Sequence, residues 1–173
     1  MRGTVLLAVL IPVLTLGPGA GAAQSDAGNL TVMTRNLYFG TNLDPVIAAT
    51  TPTEFFTRVA AALTQAKATD FPGRAKAWAA EIDRARPDLI GLQEAVLWRT
   101  QSPADFSPTP NATTVEADFV ALLLAELRAR GLKYDLVIAQ TGYDIEAPGL
   151  FATGFKDVRL TQREVILARR TGP

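Results

Sequence analysis

The run Pro87-Asp88-Leu89-Ile90-Gly91-Leu92-Gln93-Glu94 constrains the fold more than any other stretch of the chain. Its apolar centre has the length of a strand buried on both faces, and the polar pair Gln93-Glu94 falls at the strand's exit. The segment before it carries helical punctuation. Asp70 suits an N-cap and Pro72 a first turn, and Ala75, Trp78, Ala79, Ile82 and Ala85 recur at the spacing of one helix face. Arg86-Pro87 then ends the helix. A helix that feeds at once into an apolar strand is half of an alternating unit, so the sequence predicts an α/β sheet with helices packed upon it.

The remaining segments extend the same alternation. Residues 30–36 read as an earlier strand, with Leu30, Val32 and Thr34 on one face, Thr31, Met33 and Arg35 on the other, and Asn36 at its end. Residues 37–45, with Gly40 and Asp44-Pro45, read as a loop. A helix is expected to begin near Pro52 and to place Phe55, Val59, Ala62 and Leu63 on one stripe. Residues 100–114, rich in Ser, Pro, Thr and Asn, read as a surface insertion in which Asn111-Ala112-Thr113 matches a glycosylation sequon. Residues 116–130 read as a helix burying Phe119, Leu122, Leu123 and Leu127, with Gly131 as its stop. Strands are expected at 134–139, 151–158 and 164–169, with a loop at 142–149.

The first residues stand apart from this pattern. Met1-Arg2 supplies a small positive start, Val5 to Leu16 an apolar stretch, and residues 17–23 a small-residue region with Ala20-Gly21-Ala22 at its centre. This tripartite order is that of a secretory signal peptide, cleaved near residues 22–24. Pro12 and Gly17-Pro18 interrupt the run short of the ~20 apolar residues that a membrane span needs. The expected organisation is therefore a signal peptide at 1–23, a polar leader at 24–29 and one domain at 30–173, in a protein exported from a bacterial cell. Lysine plus arginine and aspartate plus glutamate each total 17, so no basic excess advertises nucleic acid. Cysteine is absent, so the exported domain relies on its core and not on disulfides.

The strand ending in Asn36, the strand ending in Gln93-Glu94, and the run Asp157-Val158-Arg159-Leu160-Thr161-Gln162-Arg163-Glu164-Val165-Ile166-Leu167 together resemble the first half of the endonuclease/exonuclease/phosphatase superfamily. The resemblance implies half of a four-layer α/β/β/α sandwich and cleavage of phosphoester bonds with a divalent cation. It also implies a catalytic histidine, an Asp-x-Asn motif and a closing Asp-His pair. This chain has no histidine at all and no counterpart of either motif, so no catalytic base is assigned. The chain is read as a truncated member of low or no activity.

Within that frame Glu94 is the expected metal ligand. Mg²⁺ or Mn²⁺ takes oxygen ligands, keeps several waters and is commonly held by one or two carboxylates plus substrate phosphate. Asn36 is expected to bind phosphate or to orient Glu94, since its amide can donate while its carbonyl accepts. Arg35, Tyr143, Asp144 and Glu146 are read as surface or loop residues. Arg159 and Arg163 face phosphate or pair with Asp157 or Glu164. The substrate class stays between nucleic acid, a phospholipid head group such as that of sphingomyelin, and a small phosphodiester. The competing reading is a secreted binding or accessory module that keeps the metal half-site without catalysis. With only half of the sandwich present, one sheet face is expected to lie open and to support self-association.

Overall fold

The computed structural model describes residues 29–170, so the expected signal peptide and nearly all of the leader lie outside the described residues. The architecture is mixed α/β, with one six-stranded sheet and four helices. In chain order the elements are β1 (Val32–Asn36), α1 (Asp44–Ile47), α2 (Pro52–Ala68), α3 (Phe71–Ala85), β2 (Leu89–Gln93), β3 (Leu97–Gln101), β4 (Thr114–Asp118), α4 (Phe119–Ala129), β5 (Tyr134–Phe151) and β6 (Gly154–Arg169).

β6 is the spine of the sheet. Along one of its edges β2 pairs antiparallel with Val165 to Ala168, and β3 pairs antiparallel with Asp157 to Thr161, so β2 and β3 lie end to end. β5 runs antiparallel along the other edge for the full length of β6. Outside β2 lies β1, parallel to it, and outside β3 lies β4, antiparallel. The outermost strand on this side thus changes from β1 to β4 opposite the short link Glu94–Val96.

α2, α3 and α4 start where side chains supply acceptors for the first free amides. Thr51 Oγ1 accepts from Glu54 N at 3.2 Å, Asp70 from Gly73 N at 3.2 Å, and Asp118 Oδ1 from Val120 N and Ala121 N at 3.1 and 3.3 Å. α2 buries Val59, Ala62 and Leu63 as its spacing predicts. α3 buries Ala75, Ala79 and Ile82, but Ala85 is exposed because the helix has by then run past the core. These stripes meet Ile90, Leu92, Trp98, Val158, Leu160, Val165 and Leu167 from one face of the sheet, with Leu37, Phe71, Phe119, Leu123 and Leu127 completing a single core. Each fully buried leucine or isoleucine contributes roughly 1.5–3 kcal/mol.

The other face carries no helix among the described residues. β2 is therefore not buried on both faces as its composition suggested: Ile90 and Leu92 are buried while Leu89 and Gly91 are half-exposed. Val32, Ile138 and Ile166 also stand open on that face, at 62%, 51% and 38% exposure.

Four further expectations are corrected. Residues 97–101, the last two of which were expected in the surface insertion, form β3. Residues 114–118 form β4, so the helix begins at Phe119 and not at 116. The expected loop at 142–149 is the middle of the continuous strand β5, and the two strands expected at 151–158 and 164–169 are one strand, β6.

Candidate functional site

β1 and β2 are parallel neighbours that end at the same level, with Asn36 opposite Gln93 in register. Both strands stop there because the chain turns. Glu94 takes a left-handed backbone conformation (φ 53°), and Tyr38, two residues beyond the end of β1, takes another (φ 54°). Non-glycine residues adopt this region seldom and at a cost of order 1–3 kcal/mol, and such strain gathers at sites where geometry is over-determined. The two turns meet beside the point where the outermost strand changes from β1 to β4.

Four polar groups meet at this point. Asn36 Nδ2 donates to Glu94 Oε1 at 2.8 Å, and the Phe39 backbone N–H donates to Glu94 Oε2 at 3.1 Å. Asn36 Oδ1 accepts from the Tyr38 backbone N–H at 2.7 Å. The Asn36 side chain is thereby fixed in its amide orientation, with its oxygen on the turn and its nitrogen on the acid. Each Glu94 oxygen keeps a free lone pair, since a carboxylate accepts about four bonds. Asn36 is exposed and Glu94 half-buried, so the acid stays open to water on one side. One carboxylate, pre-oriented and wet, fits a magnesium-type cation that retains most of its water shell. Tyr143 flanks the site. Burial raises its phenol above the ordinary range, and the nearby Glu94 carboxylate adds to the rise.

Sequence reasoning placed Asn36 and Glu94 at neighbouring strand ends, and the structure brings the two side chains into direct contact. It missed the amides of Tyr38 and Phe39, which no composition signal marks because they depend on the left-handed turn. The other polar candidates are engaged elsewhere. Arg159 makes a two-pronged pair with Asp144 at 2.9 and 2.5 Å, and Arg163 pairs with Asp118 at 2.6 Å, so neither arginine pairs with Asp157 or Glu164. Arg35 pairs with Glu81 on α3. The Arg159 guanidinium holds the Asp144 carboxyl below its ordinary value.

A second acidic group lies at the far end of β6, where Asp105, Glu146 and Asp157 bring carboxylate oxygens within 4.8 Å of one another. Its oxygens anchor the 102–113 loop: Asp157 Oδ2 accepts from Asp105 N at 2.7 Å, and Glu146 Oε2 accepts from Asn111 N and Ala112 N at 2.9 and 2.8 Å. Glu146 Oε1 is buried without a hydrogen-bond partner among the described residues. Comparison of the chain with known protein families, with curated proteins and with solved structures finds no match.

Proposed function

We propose that the chain is a secreted, divalent-metal-dependent phosphoesterase of the endonuclease/exonuclease/phosphatase type, with its sheet and helices forming half of that four-layer sandwich. The observation that carries this reading is the Asn36–Glu94 contact at 2.8 Å across two parallel strand ends, with the Phe39 amide on the second carboxylate oxygen. In this reading Glu94 holds Mg²⁺ or Mn²⁺. The cation polarises a phosphoester bound beside it and offsets charge on the leaving oxygen. Asn36 holds the carboxylate in place and offers its exposed edge to a phosphate oxygen. The substrate is a phosphodiester of nucleic acid, of a phospholipid head group or of a small molecule.

The sequence contains no histidine, so water activation by an imidazole is not available from this chain. A positioned base typically contributes about 10²–10⁴-fold, and turnover by the chain alone is expected to be low by that factor. This favours, as a second reading, an exported accessory module that binds a cation and a phosphate without cleaving. Both readings require the cation at Glu94. Mn²⁺ at about one hundred times its dissociation constant should raise the stability of the chain by roughly 2.7 kcal/mol, and Glu94→Gln should remove that increment. A Glu94→Gln variant that responds to Mn²⁺ as the parent chain does excludes Glu94 as the ligand. Hydrolysis of a chromogenic phosphodiester, measured in parallel, separates the enzyme from the accessory module.

A further inference from the structure

The turn that delivers the Phe39 amide to Glu94 is gripped from behind by two side chains. Arg74, on the first turn of α3, donates from Nη1 to the carbonyl of Leu37 at 2.9 Å. Both of its terminal nitrogens also reach the carbonyl of Tyr38 at 3.4 Å, and Nη2 donates to Thr69 Oγ1 at 3.1 Å. Trp98, on β3, donates from its indole nitrogen to the carbonyl of Phe39 at 3.2 Å. Three successive carbonyls are thus held by side chains from two different elements. A carbonyl and the amide of the next residue share one trans peptide and point in opposite directions, so the grip on the Leu37 and Tyr38 carbonyls turns the following amides the other way, Tyr38 N to Asn36 and Phe39 N to Glu94.

The guanidinium itself is caged. Its centre lies 5.0 Å from the ring of Phe71, 5.5 Å from Trp78, and 5.7 Å from both Tyr38 and Phe119. Such an aromatic cage favours a flat, weakly hydrated cation over an ammonium. A salt bridge to Arg74 is absent among the described residues, although burial lowers its proton affinity. A half-buried arginine aimed at backbone carbonyls and surrounded by rings orders a turn more than it balances a charge.

We infer that Arg74, seconded by Trp98, is a positioning residue for the cation site, holding residues 37–39 in the left-handed turn that sets the Glu94 carboxylate. The inference rests on the reading of Glu94 as a cation ligand. Outer partners of metal ligands typically change metal affinity by 10–100-fold when removed. Arg74→Met deletes every carbonyl contact while keeping an apolar stem in the cage, Arg74→Lys keeps the charge and restores part of the contact, and Trp98→Phe deletes only the indole donor.

Mn²⁺ titration of each variant, with electron paramagnetic resonance counting the free ion, is to be paired with amide hydrogen exchange at Phe39 and at Ile90 and Leu92. Arg74→Met is expected to weaken Mn²⁺ binding roughly tenfold, Arg74→Lys and Trp98→Phe by less, with exchange accelerated at Phe39 and unchanged in β2. Unaltered Mn²⁺ affinity in Arg74→Met overturns the inference. So does a loss matched by equal loss of protection at Ile90 and Leu92, which would mark a general loosening. If Arg74→Met does not fold, Trp98→Phe and Arg74→Lys decide on the same criteria. A parent chain that binds no Mn²⁺ removes the cation reading itself, and the Phe39 exchange rates then decide whether Arg74 orders the turn.

Discussion

Asp157 is only 2% exposed on β6, beside two other carboxylates. Burial raises its carboxyl above the ordinary aspartate value, and the charges of Asp105 and Glu146 add to the rise, against the lowering effect of the Asp105 amide. A raised value means that the folded chain binds a proton more tightly than the unfolded one. The contribution to stability is therefore present below the unfolded value, near pH 4, and is lost as the pH climbs through the folded one. At neutral pH the ionised Asp157 is a net cost. Asp157→Asn keeps an acceptor for the Asp105 amide and gives the neighbouring carboxylates a donor. It should stabilise the chain at pH 7 by on the order of 1 kcal/mol, the size of an ordinary single substitution. The gain should shrink below about pH 4, where the wild-type carboxyl is itself neutral. Urea midpoints at pH 7 and pH 3.5 test this, and a gain equal at both pH values would show that charge is not its origin.

Asp118 ties three elements together. It closes β4, caps α4 through Oδ1 and receives Arg163 of β6 on the same oxygen. No loop intervenes between β4 and α4, so the cap also sets the angle at which the helix leaves the sheet. Asp118→Ala should cost about 1–2 kcal/mol for the cap, and more because the half-buried Arg163 loses its charge partner. Asp118→Asn retains the cap alone and should fall between, so the urea midpoints should rank wild type, Asn, Ala; equal midpoints for the two variants would mean that the cap contributes nothing. Local start and stop signals explain why helices were legible in the sequence and several strands were not, although the Asp118 cap itself was missed and its helix expected from 116. Pro52, Asp70 and Gly131 mark their helices locally, whereas β3 and β4 are polar strands (Leu-Trp-Arg-Thr-Gln and Thr-Val-Glu-Ala-Asp) whose identity comes from pairing, β3 with β6 and β4 with β3. β5 reads as a loop because of Gly142, Pro148 and Gly149. At a sheet edge, however, a proline's missing N–H faces solvent. Gly142 falls at a register shift, and Gly149 packs so close to Ala60 that an added Cβ would lie 3.1 Å from its amide nitrogen. The site was half legible for the same reason: Asn36 and Glu94 follow from strand ends, while the amides that hold them follow from tertiary contacts.

At the scale of the whole molecule, the two sheet faces are unequal. One is covered by α2, α3 and α4; the other is crossed at one end by the 102–113 loop and is otherwise open among the described residues. Thr34, Gly91, Ile166 and Ile138 lie in one row across β1, β2, β6 and β5, beside the row of Val32, Leu89 and Ala168. The small Gly91 leaves Ile166 and Ile138 standing clear of their neighbour. Soluble monomers seldom leave open a contiguous apolar patch of more than a few hundred Å². Burial of such a patch against a second copy releases about 25 cal/mol per Å² before the losses of association are counted. The chain is therefore expected to self-associate through this face at micromolar concentration. Ile166→Lys puts a charge at the middle of the patch, and because the side chain is 38% exposed and points away from the core, the fold should lose at most about 0.5 kcal/mol. Size-exclusion chromatography with light scattering should then show the parent chain as a concentration-dependent oligomer and Ile166→Lys as a monomer with an unchanged urea midpoint. A parent chain that stays monomeric at hundreds of micromolar would show that this face, apolar as it is, does not drive association.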